Sequence, residues 1–290
     1  MNQSEILTIG YLDCADNAKL AIEIQRLLAD QGIGSKVLGF SGDSAGKLDA
    51  LLSALEHNYI DVVVGLLTDF PTKFQGGTVI TALTARTMAN DWLLLRKDTI
   101  APDGIFGLPD HAVIATQHQH TAAQMLQLNQ SFKLTEASSL SEGLENLRTG
   151  KLDAIIFSGA EVQWSGLEIT DLNIIKLSTR EIVPMPGQGA IAMATVSTDV
   201  STRKLLQSLH HRNTAKTCNV ERKTMELLAV DGHTSVGVYC EMDYADNYHV
   251  WAVAVEYPNN TVKKYSYSSS TSYGLAEQIC KLLTTSEVRA

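Results

Sequence analysis

The sequence predicts an α/β protein with two α/β lobes, followed by a small α+β domain at the C-terminal end. Three observations lead to this fold class. Apolar strands alternate with amphipathic helices, two Pro- and Gly-rich breaks interrupt the alternation, and after Thr198 the strands begin to follow one another directly. With 290 residues, of which 44% are hydrophobic, the chain is long enough to bury several cores.

The first lobe begins with βαβ units, and such units form a parallel sheet. Gly32 is expected to end the first helix because glycine tolerates the left-handed conformation of a helix terminus. The predicted elements are strand 6–12, helix 16–31, strand 35–40, helix 47–57, and strands 60–65, 78–85 and 91–96. The turn-rich stretch 97–110 is the first predicted boundary, so that lobe 1 comprises residues 1–97 and, after the chain returns, 185–208.

The second lobe, residues 98–184, repeats the α/β pattern. Ser139 and Glu142 have the spacing of a capping box, and Gly150 follows the same helix. Its predicted elements are strand 112–116, helix 121–128, helix 139–149 and strand 153–157. Strand 190–196 is expected to return to lobe 1, which leaves a cleft between the lobes.

The third domain, residues 209–290, is predicted as a small α+β unit. A turn at 258–260 is expected to join its last two strands as a hairpin. Its predicted elements, preceded by a helix at 203–209, are helix 215–228, strands 237–242, 250–257 and 262–267, and helix 275–283.

The composition excludes several classes of function. A formal net charge of -9 without a Lys/Arg cluster argues against nucleic-acid and anionic-membrane partners, since phosphate neutralisation needs cations. No apolar run is long enough to span a bilayer and no signal peptide is visible, so a cytoplasmic monomer or weak oligomer with a small-molecule ligand is expected. The four cysteines are scattered, which indicates reduced thiols rather than disulfides or a zinc site.

Four segments of the chain carry a recognisable pattern. They begin at Ile60 (Ile-Asp-Val-Val-Val-Gly-Leu-Leu-Thr-Asp-Phe-Pro), Lys151 (Lys-Leu-Asp-Ala-Ile-Ile-Phe), Pro184 (Pro-Met-Pro-Gly-Gln-Gly-Ala) and Leu209 (Leu-His-His-Arg-Asn-Thr-Ala). In this order and at compatible spacing, they resemble the corresponding segments of the hydroxymethylbilane synthase (porphobilinogen deaminase) family. The resemblance implies lobes of the type II periplasmic-binding-protein kind. It also implies a dipyrromethane cofactor on a domain-three cysteine, one catalytic aspartate, and many Arg and Lys side chains that hold the acetate and propionate groups of the pyrrole chain.

The resemblance maps the catalytic aspartate to Asp69, and Thr68 replaces the lysine beside it. The Arg-x-Ser stretch of the family falls on Tyr11 to Asp13, so an aromatic residue and an acid stand where a cation and a hydroxyl are expected. Thr68, Tyr11 and Asp13 are nevertheless predicted to face the ligand.

In the second lobe the family's Gly-Thr-Ser-Ser-Leu-Arg-Arg stretch corresponds to residues 115–121. His120 and Thr121 therefore replace its two arginines, and Thr116, His118, His120 and Gln188 are predicted as ligand-facing residues. His118 and His120 have no third ligand at a supporting spacing, so no metal site is predicted. A phosphate loop at 42–47 is disfavoured because its glycine spacing is one residue short.

Gly232 occupies the position at which the family attaches its cofactor, so a thioether cannot form there and no cofactor is predicted. Three hypotheses follow. The first is a divergent member that binds or transforms a smaller, less anionic ligand between the lobes. The second is a functional hydroxymethylbilane synthase that carries dipyrromethane, a transferase of heme biosynthesis. The third is a scaffold or regulatory protein without chemistry, so whether the chain is an enzyme stays open.

Overall fold

The structure of the protein is a computed structural model that describes residues 6–12, 15–40, 47–228, 234–256 and 261–284. Within these residues the chain divides into two compact units. Unit 1 contains the residues up to Thr87 together with 164–166 and 189–215, and unit 2 contains 88–163, 167–188 and the residues from Lys216 onward.

Unit 1 is built on one five-stranded sheet. In chain order its elements are β1 (Leu7–Leu12), α1 (Ala15–Asp30), β2 (Ser35–Phe40), α2 (Lys47–Glu56), β3 (Val62–Leu66) and β4 (Thr78–Leu83). The sheet order is β2, β1, β3, a strand at Ile191–Val196, then β4. The strand at Ile191–Val196 pairs antiparallel with both neighbours, whereas β1 to β3 are parallel. The predicted return of strand 190–196 to lobe 1 is therefore confirmed.

Unit 2 contains a second sheet with the same plan. Its elements include β5 (Asp91–Arg96), β6 (Val113–Thr116), α3 (Gln119–Leu128), β7 (Lys133–Glu136), α4 (Leu140–Arg148), β8 (Ala154–Ser158) and β9 (Leu172–Lys176). The sheet order is β7, β6, β8, β5, β9, in which β5 is antiparallel to β8 and β9. A helix α5 (Gly159–Ser165) follows β8, and the unit 1 strand at Ile191–Val196 is β10.

The sequence placed strand 91–96 in lobe 1, and this assignment was wrong. The strand is β5 of the second sheet, and the chain enters unit 2 at Met88 rather than after residue 97. The physical reason is that residues 92–95 are apolar without alternation, a pattern that predicts burial on both faces but does not reveal which sheet supplies the neighbours.

The remaining elements are one helix of unit 1 and a third sheet with its own helices. The helix of unit 1 is α6 (Val200–Leu206), which contacts β4 and β10. The others are α7 (Arg212–Leu228), β11 (Thr234–Met242), β12 (Tyr248–Glu256), β13 (Thr261–Ser269) and α8 (Leu275–Thr284). β11, β12 and β13 form an antiparallel meander with its own core, and they belong to unit 2. The turn predicted at 258–260 lies outside the described residues. The predicted fold class, two α/β lobes with a small α+β domain, is confirmed.

Local sequence signals explain how several elements begin and end. Gly32 has a φ of 75° and ends α1 as expected. Gly150 directly follows the C-cap residue of α4 and has a φ of 76°. The Ser139 hydroxyl accepts a hydrogen bond from the backbone N–H of Glu142 at 3.2 Å, which confirms the predicted cap. These signals depend only on neighbouring residues, so they are readable from the chain.

Each of the two five-stranded sheets has the same type of hydrogen bond at the start of a central strand. The Asp61 carboxylate accepts a hydrogen bond from the backbone N–H of Thr8 at 2.7 Å, and Asp153 accepts one from Val113 at 2.8 Å. In each case an aspartate just before the third strand holds the first strand of the sheet. The repeated contact fixes the ends of the strands whose opposite, carboxyl ends carry the predicted site residues.

Candidate functional site

Three predicted site residues of unit 1 lie at the carboxyl ends of neighbouring strands. Tyr11 is the second-to-last residue of β1, while Thr68 and Asp69 lie in a short 3-10 turn directly after β3. β1 and β3 are adjacent and parallel, so these ends meet at one edge of the sheet, where α/β proteins place ligands. Asp69 is exposed, and Thr68 and Tyr11 are half-buried. Asp13 lies outside the described residues.

The backbone around Asp69 is held by close packing. The N–H of Leu67 donates to the carbonyl of Ala190 at 2.8 Å, which fixes the start of the turn. A Cβ atom at Gly65 would lie 3.3 Å from the Phe70 ring and 3.5 Å from the Asp69 carboxylate. A glycine at this position therefore lets the turn fold back over the strand.

The other predicted residues lie in unit 2, at the junction between β6 and α3. Thr116 ends β6 and is buried, and its hydroxyl accepts a hydrogen bond from the backbone N–H of His118 at 3.4 Å. His118 precedes the first residue of α3 and is half-buried, whereas His120 in the first turn is buried. The structure thus brings Thr116, His118 and His120 together, as their spacing in the sequence predicts.

His120 is a neutral, buried imidazole. The Ser235 hydroxyl oxygen accepts the backbone N–H of His120 at 3.2 Å and also forms a hydrogen bond with the ring Nδ1 at 3.4 Å, in which the tautomer of the ring decides which atom donates. Burial lowers the pKa of His120 from 6.5 to about 3, with a smaller contribution from His118. Nε2 is buried and has no hydrogen-bond partner among the described residues.

His118 stacks on His120 and is also held neutral. The ring centroids are 5.4 Å apart with an angle of 14° between the planes. Burial lowers the pKa of His118, although the nearby Asp91 carboxylate opposes this effect. Neutral rings can lie in contact without the repulsion that two imidazolium ions would experience.

Asp91 is a member of this cluster that the sequence reading did not find. Its side chain is 2% exposed, and its carboxylate accepts hydrogen bonds from the Thr121 hydroxyl at 3.2 Å and the Gln188 amide at 2.8 Å. Burial raises the pKa of Asp91. The hydrogen bond from Gln188, the imidazolium form of His118 and the hydrogen bond from Thr121 act in the opposite direction. The first residue of an apolar strand carries no sequence signal for this role.

Gln188 was predicted to face the ligand, but its amide binds within the protein. The side chain is 1% exposed, and Nε2 donates to Asp91 and to the carbonyl of Ala89 at 2.9 Å. Gln188 therefore joins the chain segment before β10 to the start of β5. The sequence identified an important residue but assigned it the wrong contact, because the position of Asp91 is a property of the tertiary fold.

The segment that leads to Gln188 forms one wall of the site. The Gln124 amide makes reciprocal hydrogen bonds with the backbone of Val183, accepting at 2.9 Å and donating at 3.1 Å. The N–H of Val238 in β11 donates to the carbonyl of Pro184 at 3.0 Å. A Cβ atom at Gly237 would lie 2.6 Å from the Val183 oxygen, so this glycine allows β11 to approach the segment.

A buried glutamate ties the same segment to the third sheet. Glu221 of α7 is fully buried, and its carboxylate accepts the backbone N–H groups of Gly187 and Cys240, each at 2.7 Å. Hydrogen bonds to a carboxylate are roughly twice as strong as neutral ones. The wall is therefore anchored by α7, α3 and β11 within a single unit.

These elements enclose a cavity of about 360 Å³ within unit 2, which we call the histidine cavity. Among the described residues that line it, none is Arg or Lys, and Glu136 is the one carboxylate. Since both imidazoles are neutral, the lining carries no positive charge at neutral pH. The cavity is lined by Gln117, His118, Gln119, His120, Glu136, Met185, Met225, Ser235 and Val236.

The described residues also bear on metal and thiol chemistry. Within them, no cluster of three or more His, Cys, Asp or Glu side chains is arranged to hold a metal ion. Cys218 and Cys240 are buried, and burial raises the pKa of the half-buried Cys280 to about 11. Gly232, the predicted attachment position, lies outside the described residues. No helix in the described part of the chain is both long and apolar enough to cross a membrane.

The chain is similar to a known protein family and to individual members of that family. Residues 30–204 match the family model described as "Porphobilinogen deaminase, dipyromethane cofactor binding domain". The porphobilinogen deaminase of Exiguobacterium sibiricum is 26% identical over 215 residues, covering 72% of this chain and 68% of that protein. That of Chloroherpeton thalassium is 26% identical over 253 residues, covering 85% and 78%.

The chain is also similar to a solved structure. A periplasmic substrate-binding protein of an ABC transporter from Coxiella burnetii is 15% identical to this chain, with a TM-score of 0.46 over 72% of this chain and 94% of that protein.

Proposed function

Because the chain belongs to the porphobilinogen deaminase family, whose named domain binds a dipyrromethane cofactor, we propose that it is a member in which this chemistry has been replaced. In this proposal the chain binds a small ligand, uncharged or with one positive charge, in the histidine cavity. The observation that carries the proposal is the lining of that cavity, which contains one carboxylate, two neutral imidazoles and, among the described residues, no cation.

The residues present do not fit a dipyrromethane. Each pyrrole ring of the family's cofactor brings two carboxylates, which need matching cations in a site shielded from water. Attachment also needs an accessible thiolate. Gly232 stands at the attachment position, and the described cysteines are buried or, for Cys280, half-buried with a raised pKa. Family membership is compatible with the cofactor, but the cavity lining and the cysteines argue against it.

The lining instead offers hydrogen-bonding contacts without a cation among the described residues. Nε2 of His120 has no partner among these residues and can form one hydrogen bond with a ligand, as donor or acceptor according to the ring tautomer. Glu136 can accept from an amine or amide N–H, and Gln117 can do either. Met185 contributes an adaptable apolar wall. A ligand that combines an oxygen acceptor with an N–H donor satisfies this set.

Asp69 favours the alternative that the chain is a functional synthase, since it keeps the family's catalytic aspartate on an exposed turn. Under our proposal, Asp69 has no pyrrole chain on which to act. The two readings differ in the covalent state of the protein, which can be measured directly.

Intact-protein mass spectrometry and a porphobilinogen assay distinguish the two. We expect the unmodified polypeptide mass, no consumption of porphobilinogen, and stabilisation in a thermal-shift titration by acetamide and ethylamine but not by acetate. A covalent addition of two pyrrole units, or steady conversion of porphobilinogen, would refute the proposal. If none of the three probes binds, the scaffold reading is favoured instead.

Two variants make the binding experiment specific to the cavity. Glu136→Gln removes the carboxylate and is expected to weaken ethylamine binding about two- to fivefold while leaving acetamide binding unchanged. Glu145→Gln, an exposed glutamate on α4 outside the cavity, is the matched control and should change neither. Equal effects of the two variants would show that the probes bind elsewhere.

A further inference from the structure

A second cavity runs along the outer face of α3. It has a volume of about 480 Å³, and we call it the helix groove. The described residues that line it are all uncharged, and most are apolar. They are Gln119, Ala122, Ala123, Leu126, Gln127, Gln130, Leu134 and Val262.

The periodicity of α3 explains why this groove is continuous. Gln119, Ala122 and Leu126 recur at intervals of three and four, so they form one stripe on the helix surface. The residues between them point into the protein, where His120 and Gln124 are buried. Helical residues rise by about 1.5 Å each, so the stripe from Gln119 to Gln127 is roughly 12 Å long.

The helix groove and the histidine cavity are neighbours. A third pocket of about 210 Å³ shares His118 and Glu136 with the histidine cavity. It shares Ala122 and Leu134 with the helix groove. Gln119 lines all three, at the first residue of α3. The three adjoining spaces, which we call the path, are polar at the histidine end and apolar at the other.

We propose that this path takes a single elongated ligand, with a neutral polar head in the histidine cavity and a linear apolar tail in the helix groove. This inference rests on the proposed function, because it uses the same head site. The occupant follows from the lining. The unpartnered Nε2 of His120 favours a neutral hydrogen-bonding group at one end, which a primary amide satisfies with either ring tautomer, and the uncharged stripe of α3 favours a hydrocarbon chain at the other. A carboxylate head is disfavoured by Glu136 and by the lack of a cation among the lining residues.

Straight-chain primary amides test the proposal, measured by isothermal titration from acetamide to octanamide. Each methylene buried in the groove is expected to tighten binding about fourfold until the groove is filled. The matching carboxylates are expected to bind at least tenfold more weakly at every length.

Two variants of α3 locate the tail. Ala122→Phe places a large side chain in the groove at a half-buried position, and it is expected to abolish the gain in affinity from longer chains. Leu128→Phe, an exposed residue of the same helix outside the groove, is the control and should keep the full dependence on length. Circular dichroism of both variants verifies that they fold.

The possible results are distinguishable. If acetamide binds but affinity does not rise with chain length, the elongated ligand is refuted while the proposed head site stands. A rise with length that persists in Ala122→Phe would also overturn the inference, because the tail would lie elsewhere. If no amide binds at any length, the head site itself is wrong.

Discussion

His120 makes the stability of the protein depend on pH in a way that can be calculated. The ring is 2% exposed and its pKa is lowered from 6.5 to about 3, mainly by burial. The unfolded chain binds a proton on this ring below about pH 6.5, whereas the folded protein does so only near pH 3. Acidification therefore favours the unfolded state, and the stability associated with neutral His120 is lost as the pH falls through this window.

The magnitude follows from proton linkage. Where one more proton is bound in the unfolded state, the free energy of unfolding falls by about 1.4 kcal/mol per pH unit. Between pH 7 and pH 5 the loss from His120 amounts to about 2 kcal/mol, because the lower part of this range lies fully below the unfolded pKa. His120→Gln removes the titrating group. Between pH 7 and pH 5, the free energy of unfolding of this variant is therefore expected to fall by about 2 kcal/mol less than that of the wild type.

Urea unfolding of both proteins at pH 5, 6 and 7, followed by circular dichroism, measures this difference. Gln124→Met is the control, since it removes three hydrogen bonds from the same helix but no titratable group. It is expected to destabilise by about 2 to 4 kcal/mol at every pH. If the wild type and His120→Gln show parallel pH dependence, the ring is not held neutral in the folded protein and the lowered pKa is refuted.

Three further predictions concern the packing of unit 2 and its thiols. Gln188→Met should lower the free energy of unfolding, measured with urea, by about 2 to 4 kcal/mol, because Asp91 and the carbonyl of Ala89 lose their buried donor. A decrease below about 0.5 kcal/mol would contradict these hydrogen bonds. Gly237→Ala should cost about 1 to 3 kcal/mol by the same measurement, because the new methyl group meets the Val183 carbonyl; an unchanged midpoint would show that this approach is looser than described. Iodoacetamide at pH 8 should alkylate Cys280 roughly two hundredfold more slowly than free cysteine, by peptide mass spectrometry, and a rate equal to that of the free amino acid would refute the raised pKa.

Much of the secondary structure is readable from short stretches of sequence. β1, α1 and β2 lie within one residue of the predicted ranges, and Ser139 caps α4 as expected. These features depend on hydrophobic periodicity and on capping residues, both of which are local. The edge strands β7 and β9 were not predicted. β7 is short and mostly exposed, so it lacks the apolar alternation that identifies a strand.

The candidate site was predicted only in part. Thr116, His118 and His120 meet because they are close in sequence, and Tyr11, Thr68 and Asp69 share a sheet edge because parallel strands end together. The ligand-facing roles assigned to these residues remain predictions. Asp91 was missed and Gln188 was given the wrong contact, because their hydrogen bond joins positions that are 97 residues apart.

The sequence by itself determined the family, the order of strands and helices, and the absence of a cysteine at position 232. Only the tertiary structure decided that β5 belongs to the second sheet, that both imidazoles are neutral, and that the histidine cavity lies beside a groove along α3. The reason is that periodicity reports the environment of each residue one segment at a time. Burial, proton affinity and cavity shape depend instead on which distant segments pack together.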